Sequence, residues 1–299
     1  MRVPCFAALV LQFALFHSVA TNTLDARSPA PLAPPTAESL PPLVPVWTTK
    51  LPGSGPEPPE MYMGIAFIDG AVIALSKYST ASEYKWSGNR LRSLDPKTGR
   101  MFATIELPFK ELDYSDGPMI YASGSTSVAV QLPGSLAEFD PHLKLLAQIK
   151  LPPGRRLSRA KWYGYGEWAQ KTKSQCQAPI DVFDLHEGSA LIVACDHEVG
   201  ILDRSGKLAF VENFPNNAVG SPQIAAAGKR FILPLHTTLP GDPPLESTSY
   251  AMYDLISAEP RKTVFSIRAS GSGNAVISAS GMELAILDQG KVAVYTLPQ

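Results

Sequence analysis

The chain has 299 residues, a formal net charge of −1 and 18% charged residues. That length accommodates one large all-β domain or two small ones. The near-zero charge excludes a global basic field for nucleic acid, and the mixed, half-apolar composition excludes a chain too polar to fold.

The first element in chain order is a leader, "MRVPCFAALVLQFALFHSVATN". Arg2 supplies a positive start, Cys5 to Phe16 an apolar core, and Ser18-Val19-Ala20 a small-residue exit. Residues 1–20 therefore read as a signal peptide cut after Ala20. The apolar run, roughly a dozen residues, is short for a membrane span, so no span is expected after cleavage; an uncleaved anchor is the other reading. Residues 21–45, ending in "SPAPLAPPTAESLPPLVP", read as a stiff Pro-rich linker outside the fold. The mature domain is then 46–299, secreted or periplasmic. It retains Cys176 and Cys195, an even pair suited to a disulfide in an exported chain; two separate buried thiols are the alternative.

From residue 46 onward, short apolar alternations dominate and helical spacing is scarce. Four stretches share one pattern, a strand, an Asp-led turn and a second strand: "LRSLDPKTGRMFATIEL", "LAEFDPHLKLLAQIKL", "VGILDRSGKLAFVENF" and "YAMYDLISAEPRKTVFSI". An Asp at the head of a turn bonds the backbone ahead of it, while Gly or Pro supplies the bend. The aspartates fall at 95, 140, 203 and 254, at intervals of 45, 63 and 51. A period of about 45 with four strands per unit marks a propeller blade.

Each unit resolves into four strands. The first is "GIAFID", "AVIALS", "RLRSLD", "MFATIEL", and the second "MIYASG", "SVAVQL", "LAEFD", "LLAQIKL". The third is "IDVFDL", "ALIVAC", "VGILD", "LAFVENF", and the fourth "QIAAAG", "RFILPL", "SYAMYDL", "KTVFSI". A fifth begins with "AVISASG", "MELAILD" and "KVAVYTL" and stops one strand short. "VWTTKL", at 46–51, has the cadence of an outer strand with nothing before it, and completes that unit from the other end of the chain.

The pattern in "SLDPKTGRMFATIELP" and "ILDRSGKLAFVENFP" resembles the β-propeller superfamily, particularly its quinoprotein-like and surface-layer-type repeats. The resemblance implies an all-β chain, a single propeller of five four-stranded antiparallel blades closed by the N-terminal strand. Six blades is the alternative, if the insert at 152–178 hides further strands. No quinone site carries over, and no cofactor is expected.

In such a fold the connections alternate between two rims. One rim carries short turns. The other carries 52–62, 77–89, 108–117, 152–178, 215–221 and 236–249. Long loops on a rigid scaffold are the usual place for function. Tyr84 and Trp86 lie in the second loop, and Arg155, Arg156, Arg159, Trp162, Tyr163, Tyr165 and Trp168 in the fourth. Tyr78 and Tyr114 add to the set. Aromatic rings beside arginine anchor binding surfaces and stack on sugar rings. The stretch "RRLSRAKWYGYGEWAQKTK" reads as a lid over the channel mouth, or as an insertion whose tryptophans fill their own small core.

Catalytic signals are thin. His142, His186, His197 and His236 show no metal-ligand spacing. Asp181 and Asp184 are three apart, so they point to opposite faces of a strand. "GSGPEP" and "SGSGN" lack the lysine and helix of a phosphate loop, and there is no G-x-S-x-G elbow. The leading expectation is a binding module for a protein or carbohydrate partner at the long-loop face. The alternative is a hydrolase or lyase working at the channel mouth.

Overall fold

Asp95 shows why the repeat turns where it does. Its Oδ1 accepts from the backbone N–H groups of Lys97 at 2.9 Å and Thr98 at 2.8 Å, and Gly99 N–H closes the turn on Asp95 O at 2.8 Å. Gly99 has a φ of 69°, and a Cβ there would lie 2.5 Å from Thr49 Oγ1, so only glycine fits. Asp140 repeats the device: its Oδ1 accepts from Lys144 N–H at 2.9 Å. Here Leu143, not glycine, takes the positive φ, 62°, with its side chain buried in the core. That conformation costs about 1–2 kcal/mol in an L-residue, offset by burial of the leucine.

The computed structural model describes residues 37–54, 60–79, 88–107, 119–123, 125–132, 134–150, 181–185, 190–195, 197–203, 208–220, 223–225, 230–239, 245–254, 261–267 and 274–299. All belong to one compact unit, Pro31–Gln299. Every regular element in them is a strand. Two precede the blades, β1 (Ala37–Ser39) and β2 (Trp47–Lys50). Blade one is β3 (Glu60–Ile68), β4 (Ala71–Tyr78), β5 (Gly88–Leu94) and β6 (Met101–Leu107). Blade two is β7 (Met119–Ser123), β8 (Ser127–Leu132), β9 (Ser135–Phe139) and β10 (Leu145–Lys150). Blade three is β11 (Asp181–Leu185), β12 (Ala190–Cys195), β13 (Glu198–Asp203) and β14 (Leu208–Asn213).

Blade four holds β15 (Ala218–Val219), β16 (Gln223–Ile224), β17 (Arg230–Leu239), β18 (Leu245–Asp254) and β19 (Arg261–Ser266). Blade five is β20 (Asn274–Ile277), β21 (Glu283–Asp288) and β22 (Lys291–Thr296), with β2 as its outer strand. Each blade is an antiparallel meander, and the inner strands β16, β20, β3 and β7 lie side by side in that order. The architecture is a β-propeller with five sheets among the described residues. The expected terminal strand is in place: Trp47 pairs with Val294, Thr48 with Ala293, Thr49 with Val292 and Lys50 with Lys291.

Among the described residues four blade junctions join face to face. Leu75, Leu91, Val128, Val130 and Phe139 fuse blades one and two, and Phe67, Val72, Leu287 and Val292 fuse blades five and one. Blades three and four share Ile201, Phe210 and Phe231, and blades four and five share Tyr250, Phe265 and Ile286. Full burial of each such side chain is worth about 1.5–3 kcal/mol. The Asp-led turns also dock on the neighbouring blade. Trp47 Nε1 donates to Pro96 O at 2.7 Å, and Ser93 Oγ donates to Pro141 O at 2.6 Å.

Three features differ from the sequence reading. The tether is not wholly outside the fold, because β1 pairs in parallel with the outer edge of β19. The loop expected at 236–249 is largely strand. His236 to Leu239 pair with Leu245 to Thr248, since Thr237 and Thr238 are β-branched and suit a pleat despite their polarity. The inner strand expected over "QIAAAG" shrinks to Gln223–Ile224, and Ala218–Val219 covers the other half of β17.

Candidate functional site

The residues singled out for binding, Tyr84, Trp86, Arg155, Arg156, Arg159, Trp162, Tyr163, Tyr165 and Trp168, lie outside the described residues. So do Cys176 and the side chain of Cys195, and with them the proposed disulfide. The strand ends of blade one mark the rim where the sequence reading expects long loops. In blade one, β3 enters at Glu60, β4 leaves at Tyr78, β5 enters at Gly88 and β6 leaves at Leu107, all on the long-loop rim.

Directly paired residues share a face of a sheet. Glu60 pairs with Tyr78, Tyr62 with Ser76, Ser76 with Arg90 and Arg90 with Glu106. All of these, with Arg92, therefore line the face that packs against blade five. A bulge between Tyr62 and Gly64 puts the even-numbered Glu60 and Tyr62 on the same face as the odd-numbered Ile65 and Phe67. The polar cluster sits directly above the apolar seam of blades five and one.

Glu60 is buried and is the centre of the cluster. It accepts from Arg90 Nη1, from Arg92 Nη2 at 2.7 Å and from the Tyr62 hydroxyl at 3.0 Å. Tyr62 Oη is also 2.6 Å from Pro52 O, which ties the strand to the loop entering it. Burial pushes the Tyr62 phenol far above its ordinary range, and nearby Glu60 adds to the rise against the pull of Arg92. Arg92 Nη1 donates to Ser76 Oγ at 3.2 Å, while its Nε is buried without a hydrogen-bond partner.

Arg90 differs from Arg92 by reaching the surface: it is 22% exposed and Arg92 4%. Its guanidinium lies 4.0 Å from the centroid of the Tyr78 ring, and Nη2 donates to Glu106 at 2.7 Å. Glu106 is 60% exposed. The hydrogen bond from Arg90, then that from Tyr78, hold its carboxyl below the usual carboxylate range. Tyr78 can fold over because residue 88 is glycine; a Cβ there would stand 2.6 Å from the tyrosine ring. The result is a planar cation clamped on an aromatic face, with one buried and one solvent-facing carboxylate.

Both carboxylates of the cluster are taken up by its own donors. The oxygens of Glu60 are occupied by two guanidinium groups and a phenol. The described histidines are engaged in packing and hydrogen bonds: His142 meets Phe102 edge-on at 5.3 Å, His197 Nδ1 lies 2.7 Å from Asn217 O, and His236 Nδ1 lies 3.0 Å from Thr248 Oγ1. Among the described residues no group of three or more His, Cys, Asp or Glu is placed to hold a metal ion. None of Glu60, Arg90, Arg92 and Glu106 stands out in the sequence. The available signal is Arg-x-Arg at alternate positions of a strand: two cations on one face of an interior blade require a carboxylate partner.

No protein-family model matches the chain, and no curated protein matches it in sequence. Solved structures that are similar to it are propellers. The C-terminal WD40 domain of Sif2 is 8% identical, covering 88% of this chain and 100% of that one, with a TM-score of 0.43. The Dos1 propeller is 11% identical, covering 86% of this chain and 95% of that one, with a TM-score of 0.38. BamB from Moraxella catarrhalis is 11% identical, covering 85% of this chain and 100% of that one, with a TM-score of 0.25. The propeller assignment rests on the order and packing of the sheets themselves.

Proposed function

We propose that the protein is an exported β-propeller that works as a binding module, receiving a protein partner on its long-loop rim. The observation that supports this most is Arg90 laid on Tyr78 at 4.0 Å and held at the rim between Glu60 and Glu106. A stacked arginine loses little rotamer entropy on binding, so it suits a hot spot. Arg90 stands at the strand ends that lead toward residues 80–87, the stretch in which the sequence carries Tyr84 and Trp86. Export is supported by the charged start, apolar run and small-residue exit of residues 1–20. A carbohydrate partner would use the same aromatic faces.

The test is capture of partners from the native envelope or culture medium with the mature domain. Two altered forms run alongside, Tyr78→Ala/Arg90→Ala and one with residues 155–173 replaced by a Gly-Ser linker. The proposal expects both to lose specific partners while keeping the thermal transition of the parent. Equal recovery by all three forms would overturn it. N-terminal sequencing of the exported protein checks cleavage after Ala20.

A further inference from the structure

The segment that enters the propeller does more than connect. Ala37, Glu38 and Ser39 pair in parallel with Lys262, Thr263 and Val264 on the outer edge of blade four. Beyond them Leu40 N–H donates to Val264 O and Leu43 N–H to Ser266 O, both at 2.9 Å. Between these donors stand Pro41 and Pro42, which have no N–H and are exposed. Leu40 and Leu43 turn the other way and pack, half-buried, on the cluster that joins blades four and five. At Val46 the N–H passes to Val294 O at 2.7 Å, and the chain continues as the outer strand of blade five.

The edge of β19 therefore reads a defined pattern: two leucines three residues apart, two donors at those same residues, and a proline pair whose preset dihedrals keep the ligand extended. This is strand addition with side-chain specificity, the mode by which a sheet edge takes up a peptide. The hold is short. It has three registered pairs, one further bridge from Leu43 to Ile267 and two half-buried leucines, whereas β2 has four pairs and the Trp47 anchor on Pro96. Glu38, Ser39 and Val44 are exposed around it.

We propose that the outer edge of blade four is a docking site for extended Leu-Pro-Pro-Leu segments, and that residues 37–43 occupy it as a built-in, exchangeable strap. The incoming partner is a proline-broken apolar strand of the same pattern. It displaces the strap without disturbing β2, because the ladder of β2 begins on a different blade. The site is on the blade's outer edge and does not depend on the Arg90 cluster at the rim.

The probe is a fluorescent peptide of residues 34–46 sequence, titrated by anisotropy against two full chains, wild type and Leu40→Asp/Leu43→Asp. A tethered strap competes at an effective concentration of order millimolar, so the variant is expected to bind the peptide at least about tenfold more tightly than wild type. The same peptide carrying aspartate at both leucine positions should not bind. Equal affinity for both chains, or no binding to a folded variant, would sink the proposal. So would a concentration-dependent dimer of the wild type whose straps are swapped and unavailable to peptide. Should the variant fail to fold, hydrogen exchange on the unaltered chain decides. The amides of Leu40 and Leu43 should exchange well before that of Leu51, which donates to Gly290 O at 2.7 Å where the outer strand of blade five ends; exchange in a single step with it would refute a removable strap.

Discussion

Two arginine clusters sit on different blades and at opposite rims, and do different work. Arg230 of blade four is buried, donates to Asp254 at 2.8 Å and reaches across to blade five, where Gly281 O and Pro298 O accept at 2.9 and 3.0 Å. Nearby, Lys262 and Tyr253 of the same blade both donate to Glu212 of blade three. Arg230 and Lys262 are closed by internal partners and staple one blade to the next, although Asp254 also meets the exposed Arg261 at 3.6 Å. Arg90 of blade one shares its carboxylate with a buried neighbour but keeps an exposed side and an exposed second partner, Glu106. A buried charge with internal partners specifies packing, whereas one that ends at the surface remains available to a ligand.

That contrast can be broken by mutation. The largest effect is expected at the closed cluster. Asp254→Ala leaves Arg230 buried without its carboxylate and should cost about 3–5 kcal/mol in urea unfolding. Partner capture per folded molecule should stay unchanged; a loss of capture would erase the distinction between the two clusters. Glu60→Ala is next, with a cost of similar order, about 3–5 kcal/mol, because Arg92 is sealed. It should also weaken capture, since Glu106 alone then holds Arg90 beside Tyr78.

Arg90→Ala is expected to cost about 1 kcal/mol or less, as befits a partly exposed pair, yet abolish capture. A large fall in stability with capture intact would place Arg90 among the staples. The smallest effect is expected at Glu106→Gln, read against pH. Arg90 and Tyr78 depress the folded pKa of Glu106, so its contribution to stability is present above the unfolded value and lost as pH falls through the folded one. The melting temperature of wild type should therefore exceed that of the variant near neutrality and converge with it in acid. A gap that is constant with pH would count against the Arg90–Glu106 pair.

Much of the scaffold was legible in the chain because it rests on local rules. Alternation located the strands, and Asp95 and Asp140 announced their turns through bonds to residues two to four positions ahead. Asp254 carries the same signal, but its carboxylate receives Arg230 and Arg261. Tyr78 was legible as a rim aromatic. Glu60 read as part of a proline-rich loop, and Arg90 and Arg92 as ordinary strand residues, because the bulge that aligns them leaves no mark in the alternation. The strap was legible as extended and proline-rich, but not as docked, since a proline tether and a proline-broken edge strand have the same composition.

By itself the sequence determined the strand cadence, the turn chemistry and the return of "VWTTKL" to the last blade, all of which follow from period, capping and edge pairing. Tertiary structure alone decided which charges are closed and which face solvent. Arg92 meets a glutamate 32 residues away and Arg230 a carbonyl 68 residues away. Contacts of that range depend on register and on how one sheet face lies upon the next, and those are set by packing rather than by any local propensity.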